Sequence, residues 1–211
     1  MRIAASVEFI GSSFSGWQKQ LKVNTVQGEI EKALFNVTNK KISLTAAGRT
    51  DAGVHALSQI IHFDVDIIRP MHSWVKGINA HLPDLIKIKW AKIVSEDFHA
   101  RYSAKSRKYQ YLLLSQPIAS AIWSDRCGWT FYELDYNLLL SASKKFLGKH
   151  NFDAFRSSEC QAKSPIRTIK VVEVKKFNNF FLFTFVGDGF LHHQIRNMMA
   201  TIIKVGRGDM N

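Results

Sequence analysis

Between Gly48 and Ala56 the chain reads GRTDAGVHA, bringing an anion (Asp51), a fixed cation (Arg49) and an imidazole (His55) into one short stretch. A carboxylate is ionised at neutral pH and suits covalent or electrostatic work without an activating base. In a partly closed pocket it needs a counter-charge to stay ionised. Gly48 and Gly53 frame it, and glycine permits both a sharp bend and close approach of another molecule to the main chain. The same residue types also build ordinary polar turns. Apolar segments flank the cluster, Ile42 to Ala47 before it and Leu57 to Val65 after it, so it reads as a loop that presents Asp51 at the end of two strands.

The chain's charge points to the partner such a loop would face. Lys and Arg number 29 against 17 Asp and Glu among 211 residues, a formal charge of +12. That excess favours a polyanion, above all nucleic acid. Arg49, Arg101, Arg107, Arg156, Arg167, Arg196 and Arg207 stand beside Gly, aromatic or polar residues, a setting suited to planar contacts with phosphates and bases. Cys127 and Cys160 are the only cysteines, which leaves no disulfide framework and no paired-thiolate zinc site, and fits a reducing cytosol. The adjacent His192 and His193 lack a spaced third ligand in sequence, so packing or hydrogen bonds within a pocket are expected of them, and of His55, rather than a metal. No dinucleotide glycine motif or phosphate loop is present, and no cofactor is expected. The opening MRIAASVEFIG reads as a strand rather than a signal peptide, and no apolar run approaches membrane-spanning length. A soluble, cytoplasmic protein is expected.

The elements that must position these residues follow from periodicity. Arg2 to Ile10 reads as a strand, Gly11 to Gln20 as a loop. Val26, Ile30, Ala33, Leu34 and Val37 then repeat at helical spacing behind the cap candidates Asn24 and Thr25. A short helix is expected over His72 to Asn79, and strands over Leu85 to Val94 and Arg107 to Leu114, the latter with Tyr109, Tyr111 and Leu113 on one face. Asp135 caps a helix running to Leu147 and stopped by Gly148. Ile169 to Phe177 and Phe180 to Val186 form a hairpin around Asn178 and Asn179. A last helix spans about Leu191 to Val205, with Gly206 as its stop. The order suggests an α+β protein using one topology twice, with lobes at 1–105 and 106–211 fused through one continuous sheet.

GRTDAGVHA, FHAR (Phe98 to Arg101), RKYQY (Arg107 to Tyr111) and FLHHQIRN (Phe190 to Asn197), together with SGWQKQ, TVQGEIEKAL, INAHLP and LGKHNFDAF in the same order, resemble the tRNA pseudouridine synthase A family. The resemblance covers the chain from its first strand to Val205–Gly208. It implies the pseudouridine synthase fold: a mixed, mostly antiparallel sheet with flanking helices, and two similar lobes around a basic active-site cleft. It also implies isomerisation of uridine to pseudouridine at positions 38, 39 and 40 of the tRNA anticodon stem-loop. Asp51 would be the nucleophile, Arg196 its ion-pair partner, and Tyr109 the residue that stacks on uracil and moves the C5 proton. Arg49 would help hold the extruded nucleotide, with His55, Arg101, Arg107, His192 and His193 as further substrate contacts.

Two departures stand out. Where the family has Tyr-Asp-Gly ahead of SGWQ, this chain has Phe9, Ile10 and Gly11. The sequence also stops at Asn211, where the family continues through helices and a closing strand, so it reads as a C-terminally truncated member. The family implies a homodimer. The competing reading is a catalytically weak or inactive tRNA-binding protein or chaperone that keeps the synthase fold.

Overall fold

The computed structural model describes residues 1–210, and these divide into two compact units, the first Met1–Ala104 and the second beginning at Lys105. Among the described residues the strands form a four-stranded sheet in the first unit and a five-stranded sheet in the second. Each sheet is joined by two α-helices, giving the α+β organisation and the mostly antiparallel pairing that the sequence implies.

In the first unit β1 (Arg2–Phe9) lies between β3 (Ala56–Asp64) and β4 (Ile86–Val94), antiparallel to both, and β2 (Leu44–Ala46) pairs with the far side of β3. The central position explains why β1 is an almost continuous small apolar run: both of its neighbours are protein, and Ile3, Ala5 and Val7 are fully buried. Helix α1 (Val26–Thr38) begins where the Thr25 side chain accepts a hydrogen bond from the Gly28 N–H at 3.3 Å and ends at Asn39, in the left-handed conformation. Its buried stripe of Val26, Ile30, Ala33 and Leu34 joins Ile61, Phe63, Trp74 and Ile78 in one core. Helix α2 (Met71–Ala80) supplies Trp74 and Ile78.

The second unit has the order β6 (Gly128–Thr130), β5 (Arg107–Ser115), β9 (Phe180–Gly187), β8 (Ile166–Phe177), β7 (Gly148–Asn151). Only the β5–β6 pair is parallel. The hairpin β8–β9 turns at Asn178, whose φ of 51° asparagine tolerates, and closes with Phe177 opposite Phe180. Phe181, Phe183 and Phe185 alternate along β9 into a core shared with Leu139, Ala142, Met198, Met199 and Ile202 of helices α3 (Tyr136–Lys144) and α4 (Gln194–Gly206).

Differences from the sequence reading are local. Helix α3 starts at the expected cap, the Asp135 carboxylate accepting from the Leu138 N–H at 2.9 Å, but it stops at Lys144. Tighter bonds from Phe146 N–H to Ser143 O and Leu147 N–H to Lys144 O then unwind the last turn. Gly148 does not merely stop the helix; it opens β7, which with β6 was not anticipated. No helix among the described residues is long and apolar enough to cross a membrane.

Candidate active site

The Asp51 loop connects β2 to β3. The ladder between these strands reaches only Ala46, extended by Ala47 N–H to Ile60 O at 2.8 Å and by the Gln59 amide, which donates to Gly48 O. Beyond that point the chain leaves the sheet and returns through a turn in which Val54 N–H donates to Asp51 O at 3.2 Å. Gly53 has a φ of +80°, the value that the third position of a type II turn demands. Asp51 is therefore the first residue of a turn of fixed geometry, and it is half-buried, with His55 half-buried and Arg49 exposed.

A second segment braces this loop. After β1 a short 3-10 turn, Gly11–Ser13, brings the backbone against the Asp51 turn so closely that a Cβ on Gly11 would sit 2.0 Å from Val54 O. The Gly11 N–H donates to His55 Nδ1 at 3.0 Å, which leaves Nε2 as the protonated nitrogen of the neutral ring. Trp17 N–H donates to Thr50 O at 3.0 Å, while the Trp17 and Gly16 carbonyls accept from Gln27 and Val26 at the start of α1. The indole is 1% exposed and packs on Phe9 at 5.7 Å between centroids. The SGWQ segment thus links the helix start to the residue preceding Asp51. The last candidate of this unit, Arg101, lies on the exposed loop after β4 with its guanidinium 5.7 Å from the Tyr102 ring centre.

In the second unit Tyr109 is a half-buried residue of β5, edge-on to Phe190 at 5.0 Å. Arg107, two residues earlier, donates from its guanidinium to Asp188 O at 2.8 Å. Tyr111, next on the same face, has its hydroxyl pushed upward in pKa by burial first and by Cys127 second, with Arg196 opposing, so it stays protonated.

Arg196 is exposed in the first turn of α4, which starts three residues later than expected. Leu191 to His193 instead form a pinned turn. Leu191 N–H donates to the fully buried Gln194 Oε1 at 2.8 Å, Gln194 N–H returns to Leu191 O at 3.1 Å, and His193 takes a φ of 62°. The His192 and His193 rings lie 4.0 Å apart, and the His192 carbonyl accepts from Ser157 N–H at 2.9 Å. Asn197 anchors the same helix start by donating from Nδ2 to Phe155 O at 2.9 Å.

Within each unit the structure gathers the expected residues: Asp51, Arg49 and His55 on one loop, and Tyr109, Arg196, His192 and His193 around β5 and the start of α4. Arg107 lies on β5 two residues before Tyr109, and Arg101 lies on the loop after β4. Trp17, Gly11, Phe190 and Gln194 are the supporting residues that periodicity did not single out. The signal for Trp17, Phe190 and Gln194 was their presence inside SGWQ and FLHHQIRN; Gly11, ahead of SGWQ, had none, since hydrogen bonds between loops leave no repeat to read.

Comparison with known proteins adds to this geometry. Residues 5–103 and 142–211 match the family model described as tRNA pseudouridine synthase. The chain is 44% identical over 208 residues to tRNA pseudouridine synthase A of Dechloromonas aromatica, covering 99% of this chain and 79% of that protein. It is 45% identical to the enzyme of the same name from Nitrosomonas eutropha (99% and 75% covered) and 43% identical to that from Chromobacterium violaceum (100% and 81%). The braced Asp51 loop and the pinned start of α4 both fall inside the matched segments, and the chain belongs to the tRNA pseudouridine synthase family of isomerases.

Proposed function

We propose that this chain converts uridine to pseudouridine in tRNA, at positions 38, 39 and 40 of the anticodon stem-loop. The observation that carries the reading is the bracing of Asp51: a carboxylate on a turn fixed by Gly53 and tied by Trp17 and His55 is preorganised for chemistry at one carbon. Asp51 acts as the nucleophile: its carboxylate bonds to C1′ as the C1′–N1 bond breaks, and the new bond breaks in turn, releasing the carboxylate, when C1′ rejoins the base. The uracil turns, C1′ rejoins at C5, the C5 proton is lost and N1 gains one, so no redox partner is required. Tyr109, propped edge-on by Phe190, stacks on the base and receives the C5 proton. Arg196 supplies the counter-charge to Asp51, and Arg49 holds the displaced nucleotide. His55, Arg101, Arg107, His192 and His193 contact the RNA. The charge of +12 supports a polyanionic substrate. We further propose a homodimer acting in the cytoplasm.

The test is incubation of the chain with unmodified tRNA transcripts, followed by mapping of pseudouridine at single-nucleotide resolution. Product at positions 38 to 40 is expected. Tight tRNA binding with no product at any position would favour the non-catalytic RNA-binding reading instead.

A further inference from the structure

The FHAR motif runs into an aromatic column that its sequence does not announce. His62 of β3 is buried, and its Nδ1 accepts the Ala100 N–H at 3.1 Å. The His99 ring lies 4.9 Å from His62, and Tyr102 stacks on His99 at 4.3 Å with 29° between planes. His99 cannot turn freely, because its Nδ1 accepts from both the Arg101 and Tyr102 N–H groups at 3.2 Å. Ser103 closes the loop from both ends, its N–H donating to His99 O at 2.8 Å and its hydroxyl accepting from His99 N–H at 3.0 Å.

Tyr102 is the outermost ring of this column and is 77% exposed. A large aromatic side chain left in water gains nothing from burial, yet here the pinned His99 ring stacks on it, the Tyr102 N–H donates to His99 Nδ1, and the Arg101 guanidinium lies 5.7 Å from the ring centre. A propped aromatic face next to a planar cation suits an unpaired nucleobase and its phosphate.

We propose that Tyr102 is an RNA-stacking residue, receiving an unpaired base of the bound RNA on its exposed ring while Arg101 contacts the adjoining phosphate. The inference rests on the reading of tRNA as substrate and adds a contact outside the Asp51 loop. The base is held by its π face, so the contact tolerates any base identity.

The probe is an unmodified tRNA transcript, titrated against the full chain at several salt concentrations. Tyr102→Ala is expected to weaken binding by roughly 5- to 150-fold, the range for loss of one stacked base. Its log–log salt slope should match wild type, since no charge is lost. Tyr102→Phe should bind within about twofold of wild type, keeping the ring that stacking requires. Arg101→Gln should lower the slope by about 0.7 to 0.9, the value for one phosphate contact. Tyr102→Leu, which keeps apolar bulk over His99, should lose as much affinity as alanine and covers any loosening of the loop. Unchanged affinity in Tyr102→Ala and Tyr102→Leu, with wild type binding tRNA, would overturn this proposal alone. Equal losses in Tyr102→Phe and Tyr102→Ala would also overturn it, by assigning the effect to the hydroxyl. Failure of wild type to bind tRNA overturns both this inference and the functional reading beneath it.

Discussion

Trp17 and Thr50 are joined through their backbones, the Trp17 N–H donating to the Thr50 carbonyl at 3.0 Å, and Thr50 is the residue before Asp51. The position of the carboxylate is thereby coupled to a fully buried indole and, through the Trp17 carbonyl, to the start of α1. Trp17→Ala should therefore lower both stability, by about 3–5 kcal/mol for a large buried aromatic, and turnover. Trp17→Phe should recover most of the stability. Denaturant unfolding alongside single-turnover kinetics separates the two effects; a destabilised variant with wild-type turnover would show that Asp51 does not depend on this brace.

Gly11 offers a sharper version of the same test, because the Cβ of Gly11→Ala would overlap Val54 O at 2.0 Å. The backbone must separate there, and the bond from Gly11 N–H to His55 Nδ1 must lengthen. We expect at least a tenfold fall in turnover, of the order assigned to an ångström-scale misplacement, with tRNA affinity little changed. Turnover within twofold of wild type would mean that the loop can move without consequence.

Asp51→Asn keeps size and removes charge. It should leave thermal unfolding and tRNA affinity near wild type while abolishing pseudouridine formation, read by tritium release from 5-labelled uridine in the tRNA. Appreciable release would remove Asp51 from the nucleophilic role.

Tyr109 separates stacking from proton transfer. Tyr109→Phe retains the ring that meets Phe190 edge-on and loses only the hydroxyl. Turnover should drop more than affinity in Tyr109→Phe, whereas Tyr109→Ala should lose both, the affinity by about 1–3 kcal/mol. Wild-type rates in the phenylalanine variant would show that the hydroxyl takes no proton.

The buried His62 gives the first unit a pH dependence. Burial, then Arg2 and His99, hold its pKa below the usual 6.5. The unfolded chain therefore binds this proton more readily than the folded one. Stability is full above pH 6.5 and falls as the pH drops from there through the folded-state pKa. Asp64, held low by its hydrogen bond to Arg2, acts only in the separate window below 3.8. His62→Asn, whose Oδ1 can still accept the Ala100 N–H, should flatten the upper window in melting experiments across pH and leave the lower one in place. An unaltered upper window would assign it to another group.

What the sequence disclosed and what it withheld follow from the range of the forces involved. Helix α1 could be placed because its apolar spacing and the Thr25 cap are local signals. The β8–β9 hairpin was equally plain, since Asn178 and Asn179 lie between two apolar runs. The three-residue β6 and the four-residue β7 were missed because edge strands this short carry little alternation. The late start of α4 was hidden for another reason: Gln194 looks like an exposed helical polar residue, whereas it is fully buried and its Oε1 turns back to accept the Leu191 N–H, closing a turn ahead of the helix. Asp51 was recognisable as a residue type in a motif, but its brace joins Gly11 and Trp17 to a loop more than thirty residues away, beyond the reach of any periodic pattern.

The placement of β1 at the centre of its sheet has a consequence for biosynthesis. The strand is made before either of its partners: Asp64 must be synthesised before β3 can pair with it and Val94 before β4 can. An emerging segment that is apolar on both sides must remain unpaired through that interval. Its alternatives are association with a chaperone or with another nascent chain. The small side chains Ala4, Ala5 and Ser6 at the middle of the strand make it a weaker aggregation nucleus than a run of Val and Ile at the same position would be. By Ala104 every strand of that sheet has been supplied, so the first unit has all of its own ladder while the second is still being translated.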